Sequence, residues 1–250
     1  MNEEKHWNKV APVYQEDVMD VFRSERNGVL PKYFKKHRNK KHLAIDFGCG
    51  VGNGFEFFAP FFNKVIAVDI SQECLNIAKG KPYANIEFRK CDLTAPNLDL
   101  PKADFGTCVN VAILPEVEQN YRILSNVSRH LRKGGHAIFV IPSLDSMMFA
   151  AWRIIDLFRK ERTPPAEIPD SDLDGFKGTI KDILQGIVFI EGVPTKHYSR
   201  PEIEVVFPEA GFKVLSVEKL EYDWTTEIAK PPKWLKAPYP WDWMVECKKQ

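Results

Sequence analysis

The chain has 250 residues, 44% of them hydrophobic, and 35 lysines and arginines against 34 aspartates and glutamates give a formal charge of +1. That length and apolar fraction suit one large domain, or one domain with an elaborated insert, and the near-zero charge gives no global electrostatic case for a nucleic-acid or membrane partner. Five scattered cysteines without a C-x-x-C pair indicate neither a zinc site nor a disulfide framework, so no metal is expected and reduced thiols in a cytoplasmic setting follow. The first residues lack the basic and apolar regions of a signal peptide, and no apolar run is long enough to span a bilayer.

In chain order, residues 7–37 carry helical spacing, with Val10, Val13, Tyr14, Val18, Val21 and Phe22 on one face. Gly28 and Pro31 break that pattern before a second short helix, and the basic run from Lys32 to Lys41 reads as a solvated face. Strand and helix patterns alternate from Leu43 onward. Leu43, Ala44 and Ile45 form a short buried strand, and a helix is expected over 55–62. Val65 to Val68 is a second strand ending in Asp69, after which Ser71 caps a helix over 72–79 with Glu73 in its first turn. Ile86 to Cys91 alternates and ends at Asp92; Phe105 to Val111 is a fourth strand. A helix over 115–131 stops at Gly134-Gly135, as at a C-cap, and Ala137 to Ile141 is the fifth and most apolar strand. The rhythm breaks over 143–198. It resumes at Ser199-Arg-Pro-Glu202, a capping-box pattern, with strands beginning at Phe212 and Trp241. Strands alternating with helices argue for an α/β fold with a parallel, doubly wound sheet.

The most informative stretch is Asp46-Phe-Gly48-Cys49-Gly50-Val-Gly52-Asn53-Gly54. Glycines let a backbone turn through positive φ and approach a ligand with no side chain between. The carboxyl end of a strand is where open α/β sheets bind ligands. A dinucleotide fingerprint needs G-x-G-x-x-G, but counting from Gly48 the third glycine falls on Asn53, and counting from Gly50 it falls on Phe55. A nicotinamide-dependent oxidoreductase is therefore disfavoured. Asp69, about twenty residues on, suits the two hydroxyls of a ribose. Asp92 suits the exocyclic amine of an adenine, or else simply caps the turn at Leu93-Thr94.

The pattern acid-x-G-x-G-x-G resembles motif I of the class I S-adenosylmethionine-dependent methyltransferases. Val65 to Ser71 resembles that family's second-strand motif, Cys91-Asp92-Leu93 its third, Leu131 to Val140 the approach to its fifth strand, and Ala210-Gly-Phe212 its late helix-to-strand turn. The resemblance covers residues 7–142 and 199–247. It implies a mostly parallel, seven-stranded sheet with helices on both faces, an N-terminal helical lid over 1–40 and a helical insert after strand five, in a single domain. It also implies S-adenosyl-L-methionine as methyl donor, with S-adenosyl-L-homocysteine as product. Asp46 would then sit near the methionine amino group, and the backbones of Gly48, Cys49, Gly50, Gly52 and Asn53 would pack on methionine and ribose. Asp69 with Ile70 would bind the ribose, Asp92 with Leu93 would frame the adenine, and Asn110 and Val111 would line the sulfonium. Tyr14 would reach the methionine carboxylate or, equally, serve as a core aromatic.

Subfamily marks are mostly absent. Asn110-Val-Ala-Ile113 is not the Pro-Pro-aromatic run of amino-methylating nucleic-acid enzymes, Pro142-Ser143 has no nucleophilic thiol, and Glu116 and Glu118 read as a helix's acidic first turn. The implied activity is methyl transfer to a small-molecule O, N or C nucleophile. The alternatives are an inactive cofactor-binding interaction module, or an enzyme acting on RNA or protein through the Lys32–Lys41 face. Should a general base be needed, His197 is the candidate, with Glu191 as a second and Tyr198 as orienter. In the insert, Met147, Met148, Phe149, Trp152 and Phe158 are candidates for an apolar acceptor pocket, or for a helix packed on the sheet edge.

Overall fold

The computed structural model describes residues 2–228 and 230–250. Five helices precede and follow the first strand: α1 (Glu3–Val10), α2 (Tyr14–Asp17), α3 (Val21–Ser24) and α4 (Val29–Lys36) before β1 (Asn39–Phe47), then α5 (Phe55–Phe58). Next come β2 (Phe62–Asp69), α6 (Gln72–Ala78), β3 (Ile86–Lys90), β4 (Ala103–Val109), α7 (Val117–Arg129) and β5 (Leu131–Pro142). The remainder holds α8 (Leu144–Lys160), α9 (Ile180–Leu184), β6 (Ile187–Ile190), β7 (Val193–Lys196), α10 (Arg200–Glu209), β8 (Phe212–Glu221) and β9 (Trp241–Lys249).

Seven strands form one sheet in the order β3-β2-β1-β4-β5-β9-β8, while β6 and β7 make a separate hairpin. Pairing is parallel from β3 to β5. Strand β9 runs antiparallel to both β5 and β8, so it alone is reversed. The two-residue side-chain period of a strand divides the core between two faces. Ile45, Phe47, Ile66, Val68, Phe139 and Ile141 point to one, where α7 and α10 bring Leu124, Val127, Ile203 and Phe207. Ala44, Val65, Ala67, Phe105, Ile138 and Val140 point to the other, covered by Leu30, Phe34, Phe55, Phe58 and Leu75. Both layers are buried, which is why the central strands read as unbroken apolar runs.

Local structure departs from expectation at four places. The helix expected over 55–62 is a single turn, because Pro60 cannot donate to it and the chain passes into β2 at Phe62. The expected break at Gly28 is present, but the segment before it is also cut into short pieces at Pro12 and Val18. Helix α7 ends at Arg129, and β5 has begun by Leu131; Gly134-Gly135 accommodates the register shift between Ala103↔Leu131 and Phe105↔His136 rather than capping a helix. Ser199 caps α10 through the Glu202 amide at 3.3 Å. The box is only half formed, however, since the Glu202 carboxylate pairs with Lys196 at 2.7 Å.

Candidate functional site

The glycine loop leaves β1 through three left-handed residues, Gly48 (φ 79°), Gly50 (φ 52°) and Gly52 (φ 81°). A side chain there costs about 1–2 kcal/mol in backbone strain, and space forbids one as well. A Cβ on Gly48 would lie 2.2 Å from Val111 Cγ2, and one on Gly50 would lie 2.8 Å from Tyr14 Oη. Gly54 is right-handed, but its missing Cβ makes room for the Phe22 ring 2.6 Å away. The amides of Gly48 and Cys49 both donate to the Val68 carbonyl, at 2.8 and 2.9 Å, which ties the loop to the end of β2.

Asp69 follows directly. Its buried carboxylate accepts from the Gly50 amide through Oδ2 and the Ser71 amide through Oδ1, each at 2.8 Å. A carboxylate offers about four lone-pair positions, so two remain for a ligand. Asp46 is also buried, and desolvation, with the Asp69 charge added, pushes it up to about 8. Asp92 is exposed and caps the amide and hydroxyl of Thr94 at 2.8 and 2.7 Å; it fills the turn-capping role and lines the cavity as well. Asn110 leaves β4 at φ 52°, rare for a side-chain-bearing residue and concentrated at functional sites. Its Oδ1 is buried with no partner among the described residues. Burial and the nearby Asp69 raise the Tyr14 hydroxyl, which stays a neutral donor.

These side chains converge. Tyr14, Asp46, Gly48, Cys49, Gly50, Asn53, Asp69, Ile70, Asp92, Leu93, Asn110 and Val111 line one cavity of about 820 Å³. Gly52 alone of the anticipated cofactor residues does not line it. Its φ closes the turn in which its amide meets the Cys49 carbonyl at 3.0 Å, and a Cβ would strike the Phe55 ring.

Three walls were not anticipated in detail. Trp7, Met19 and Phe22 come from the first 22 residues; within the expected lid of 1–40, α4 instead packs beneath the sheet through Leu30 and Phe34. Asn8 binds this lid to α6, accepting from the Ser71 hydroxyl at 2.7 Å. The β4–α7 loop supplies Ile113, Leu114 and Glu116. It is clamped by the fully buried Asn120, whose amide bonds the Leu114 N–H and carbonyl at 2.8 and 2.6 Å. The β6–β7 hairpin supplies Val193, Pro194 and Thr195, and the Lys196 amide joins it to the Ile113 carbonyl at 2.9 Å. Position after strand four was the one signal for the second wall. Nothing local marked the hairpin except Glu191-Gly192, which turn at φ 49° and 82°.

The insert covers the cavity only through that hairpin. Met147, Met148, Phe149, Trp152 and Phe158 do not line it. Phe149 packs on Trp224 and Trp241, a Cβ on Gly175 would meet Met147 Cε, and Met148 and Trp152 are exposed. His197 is not on the cavity wall either. It is buried with Nδ1 3.0 Å from the Thr195 carbonyl, and desolvation lowers it to about 4, which fixes it neutral. Tyr198 donates to the Ala112 carbonyl at 2.8 Å and so braces the β4–α7 loop, while Glu191 sits at the hairpin tip. Neither His197 nor Tyr198 lines the cavity, so the structure does not bring them to the residues expected around the cofactor.

The Lys32–Lys41 run lies at the opposite, amino end of the strands, and none of it lines the cavity. There His37, His136 and Glu246 form the one group of possible metal ligands found among the described residues. Glu246 already accepts from Lys36 Nζ at 2.8 Å on both oxygens and stands 2.7 Å from His37 Nε2. The geometry is that of an ion pair.

Residues 45–139 match a family model described as a methyltransferase domain. An uncharacterised protein of Methanocaldococcus jannaschii is 24% identical over 240 residues, 93% of this chain and 82% of that one. A probable S-adenosylmethionine-dependent methyltransferase of Mycolicibacterium smegmatis is 25% identical over 117 residues, 47% of this chain and 44% of that protein. Among solved structures, the N-methyltransferase NodS of Bradyrhizobium japonicum, in complex with S-adenosyl-l-homocysteine, has the same fold at a TM-score of 0.59 and 11% identity, covering 100% of this chain and 99% of that one. No helix among the described residues is long and apolar enough to cross a membrane.

Proposed function

We propose a small-molecule methyl acceptor for this chain, which belongs to the class I S-adenosylmethionine-dependent methyltransferases. The carrying observation is the cavity's size and cover. About 820 Å³ lies within the usual range for small-ligand pockets, and the lid and the β6–β7 hairpin stand over it from two sides. An RNA or protein acceptor engaging the Lys32–Lys41 face would bind at the far end of the sheet. The 250 residues are read as one methyltransferase domain, working in the cytoplasm with its five thiols reduced.

The residues suit the cofactor. The loop at Gly48 and Gly50 is bare where a Cβ would intrude, Asp69 keeps two lone-pair positions for a diol, and Asn110 holds an unmatched acceptor. In this reading Asp46 faces the methionine ammonium and Tyr14 donates to its carboxylate. Asp69 and Ile70 hold the ribose, and Asp92 and Leu93 frame the adenine. The Gly48–Asn53 backbone packs on the chain between, and Asn110 and Val111 flank the sulfonium. When bound, S-adenosylmethionine supplies a methyl group on a good leaving group. The protein's part is therefore alignment and exclusion of water rather than nucleophilic attack of its own. Tyr14 and Trp7 close the lid side, and Pro194 closes the other.

Titration calorimetry with S-adenosylhomocysteine tests the cofactor site, and absence of binding would refute it. Incubation with methyl-labelled donor and a cell extract, split by ultrafiltration, tests the acceptor. Label is expected in the low-mass fraction; label confined to RNA or protein would overturn the small-molecule reading.

A further inference from the structure

Among the described residues the cavity wall has 37 members, seven of them carboxylates, and no lysine or arginine. Lysine and arginine make up 35 of 250 residues, so about five would be met in a wall of that size if charge were spread evenly. Three of the acids, Asp46, Asp69 and Asp92, belong to the cofactor in the reading above. The other four are Glu3, Glu4, Asp20 and Glu116. Glu4 is paired with Lys90 at 2.6 Å, and Asp20 caps the Phe22 amide at 3.0 Å and lies 3.8 Å from the Arg23 guanidinium. Glu116 stands at the N-cap position of α7 but does not bond its helix's amides, so its carboxylate stays available at the rim. Apolar parts of the same wall come from Met19, Ile113, Val193 and Pro194, and Asn110 Oδ1 is a buried acceptor with no partner among the described residues.

With Glu3 and Glu116 left without a cation partner among the described residues, such a wall repels anions and attracts cations. We propose that the acceptor is an amine on an apolar body, drawn in as its ammonium form by Glu116 and presented with an N–H to Asn110 Oδ1; phosphates and carboxylates are excluded. This rests on the methyltransferase reading and narrows it. The ammonium gives up one proton to water at the exposed rim. Its nitrogen lone pair then forms the bond to the methyl carbon as the carbon–sulfur bond breaks with its electrons going to sulfur. The positive charge thus passes from sulfonium to an N-methylammonium product, which the same carboxylate stabilises.

The test measures charge selection in the acceptor half without knowing the acceptor. In Thr195→Cys, and separately in Val193→Cys, the full chain saturated with S-adenosylhomocysteine is treated with a trimethylammonium-ethyl and a sulfonatoethyl methanethiosulfonate. Peptide mass spectrometry follows the new thiol. The cationic reagent is expected to react at least tenfold faster at low salt, relative to the same pair on 2-mercaptoethanol, and adding Glu116→Gln should cut that preference about threefold. Equal rates, or a preference for the anion, with S-adenosylhomocysteine still bound overturn the amine proposal and leave the methyltransferase reading standing. Loss of S-adenosylhomocysteine binding by the unsubstituted chain counts against that reading instead. Label transferred from the methyl donor to extract components retained on a cation exchanger supports the proposal, and label retained only on an anion exchanger overturns it.

Discussion

Gly48→Ala tests whether the glycine loop is shaped by Val111. The native φ of 79° costs an alanine about 1–2 kcal/mol. Its Cβ would also lie 2.2 Å from Val111 Cγ2, with Cγ1 and Cβ at 3.1 and 3.2 Å. A β-branched side chain has no second rotamer to retreat to cheaply, so overpacking adds about 1–3 kcal/mol. The expected loss of stability is about 2–5 kcal/mol, with S-adenosylhomocysteine affinity lowered at least tenfold because the loop must move. Val111→Ala alone, at a half-buried position, should cost about 1 kcal/mol. Combined, the two substitutions remove the clash but not the φ strain, so the double variant should be about 1–3 kcal/mol more stable than the sum of the singles predicts. Urea unfolding of the four chains measures the coupling. Additivity within about 0.5 kcal/mol would refute the contact as the reason for a glycine at this position.

Asp46, held at about 8, is mostly protonated in the free chain at neutral pH, and a ligand ammonium favours its charged form. Binding of S-adenosylhomocysteine should therefore release close to one proton at pH 7 and strengthen about tenfold from pH 6 to pH 7, as calorimetry in buffers of different ionisation heat would show; a flat profile, or one unchanged by Asp46→Asn, contradicts this. Asp69→Asn turns an NH₂ toward the Gly50 or Ser71 amide and removes a charge-assisted bond of about 1.5–3 kcal/mol, so cofactor affinity should drop ten- to a hundredfold. His197 is neutral in the fold, and the gap between 6.5 unfolded and about 4 folded is worth about 3 kcal/mol. That stability is complete above pH 6.5 and is lost as pH falls toward 4. His197→Gln should flatten the pH–stability curve in that window while leaving turnover at neutral pH within a few-fold, and a large loss of kcat would restore His197 as a base.

The glycine-loop side of the cavity was legible because its geometry is written into backbone requirements at strand ends. Gly48 and Gly50 must be glycine for φ and for space, and Asp69 follows β2 directly, so order along the chain is also order in space. Gly52 shows the limit of that logic. A glycine spaced like its neighbours serves the turn, and only the placement of the Phe55 ring explains why. Amphipathic pattern was less faithful. Over 7–37 the spacing gave a helix, a break at Gly28 and a second short helix; the break is present, but Pro12 and Val18 also cut the first part, which faces the cavity while α4 faces the core. In the insert, Phe149 is apolar because it meets Trp224 and Trp241, partners more than seventy residues away whose contact no local pattern announces.

The acceptor half was hidden for a further reason, which lies in how charge is distributed. A total of +1 says nothing of how charge is placed around the cavity, whose wall holds carboxylates and neither lysine nor arginine among the described residues. The Lys32–Lys41 run sits at the amino ends of the strands, partly neutralised by the buried Glu246, which takes Lys36. Glu3 and Glu116, which have no cation partner among the described residues, line the cavity. A chain neutral in sum thus carries a local negative field at the cavity, from Glu3 and Glu116. Such a field steers cations toward the site from a Debye length away, about 8–10 Å in physiological salt. Both the sulfonium donor and a protonated amine carry the charge that this field gathers, so the one asymmetry would serve both substrates.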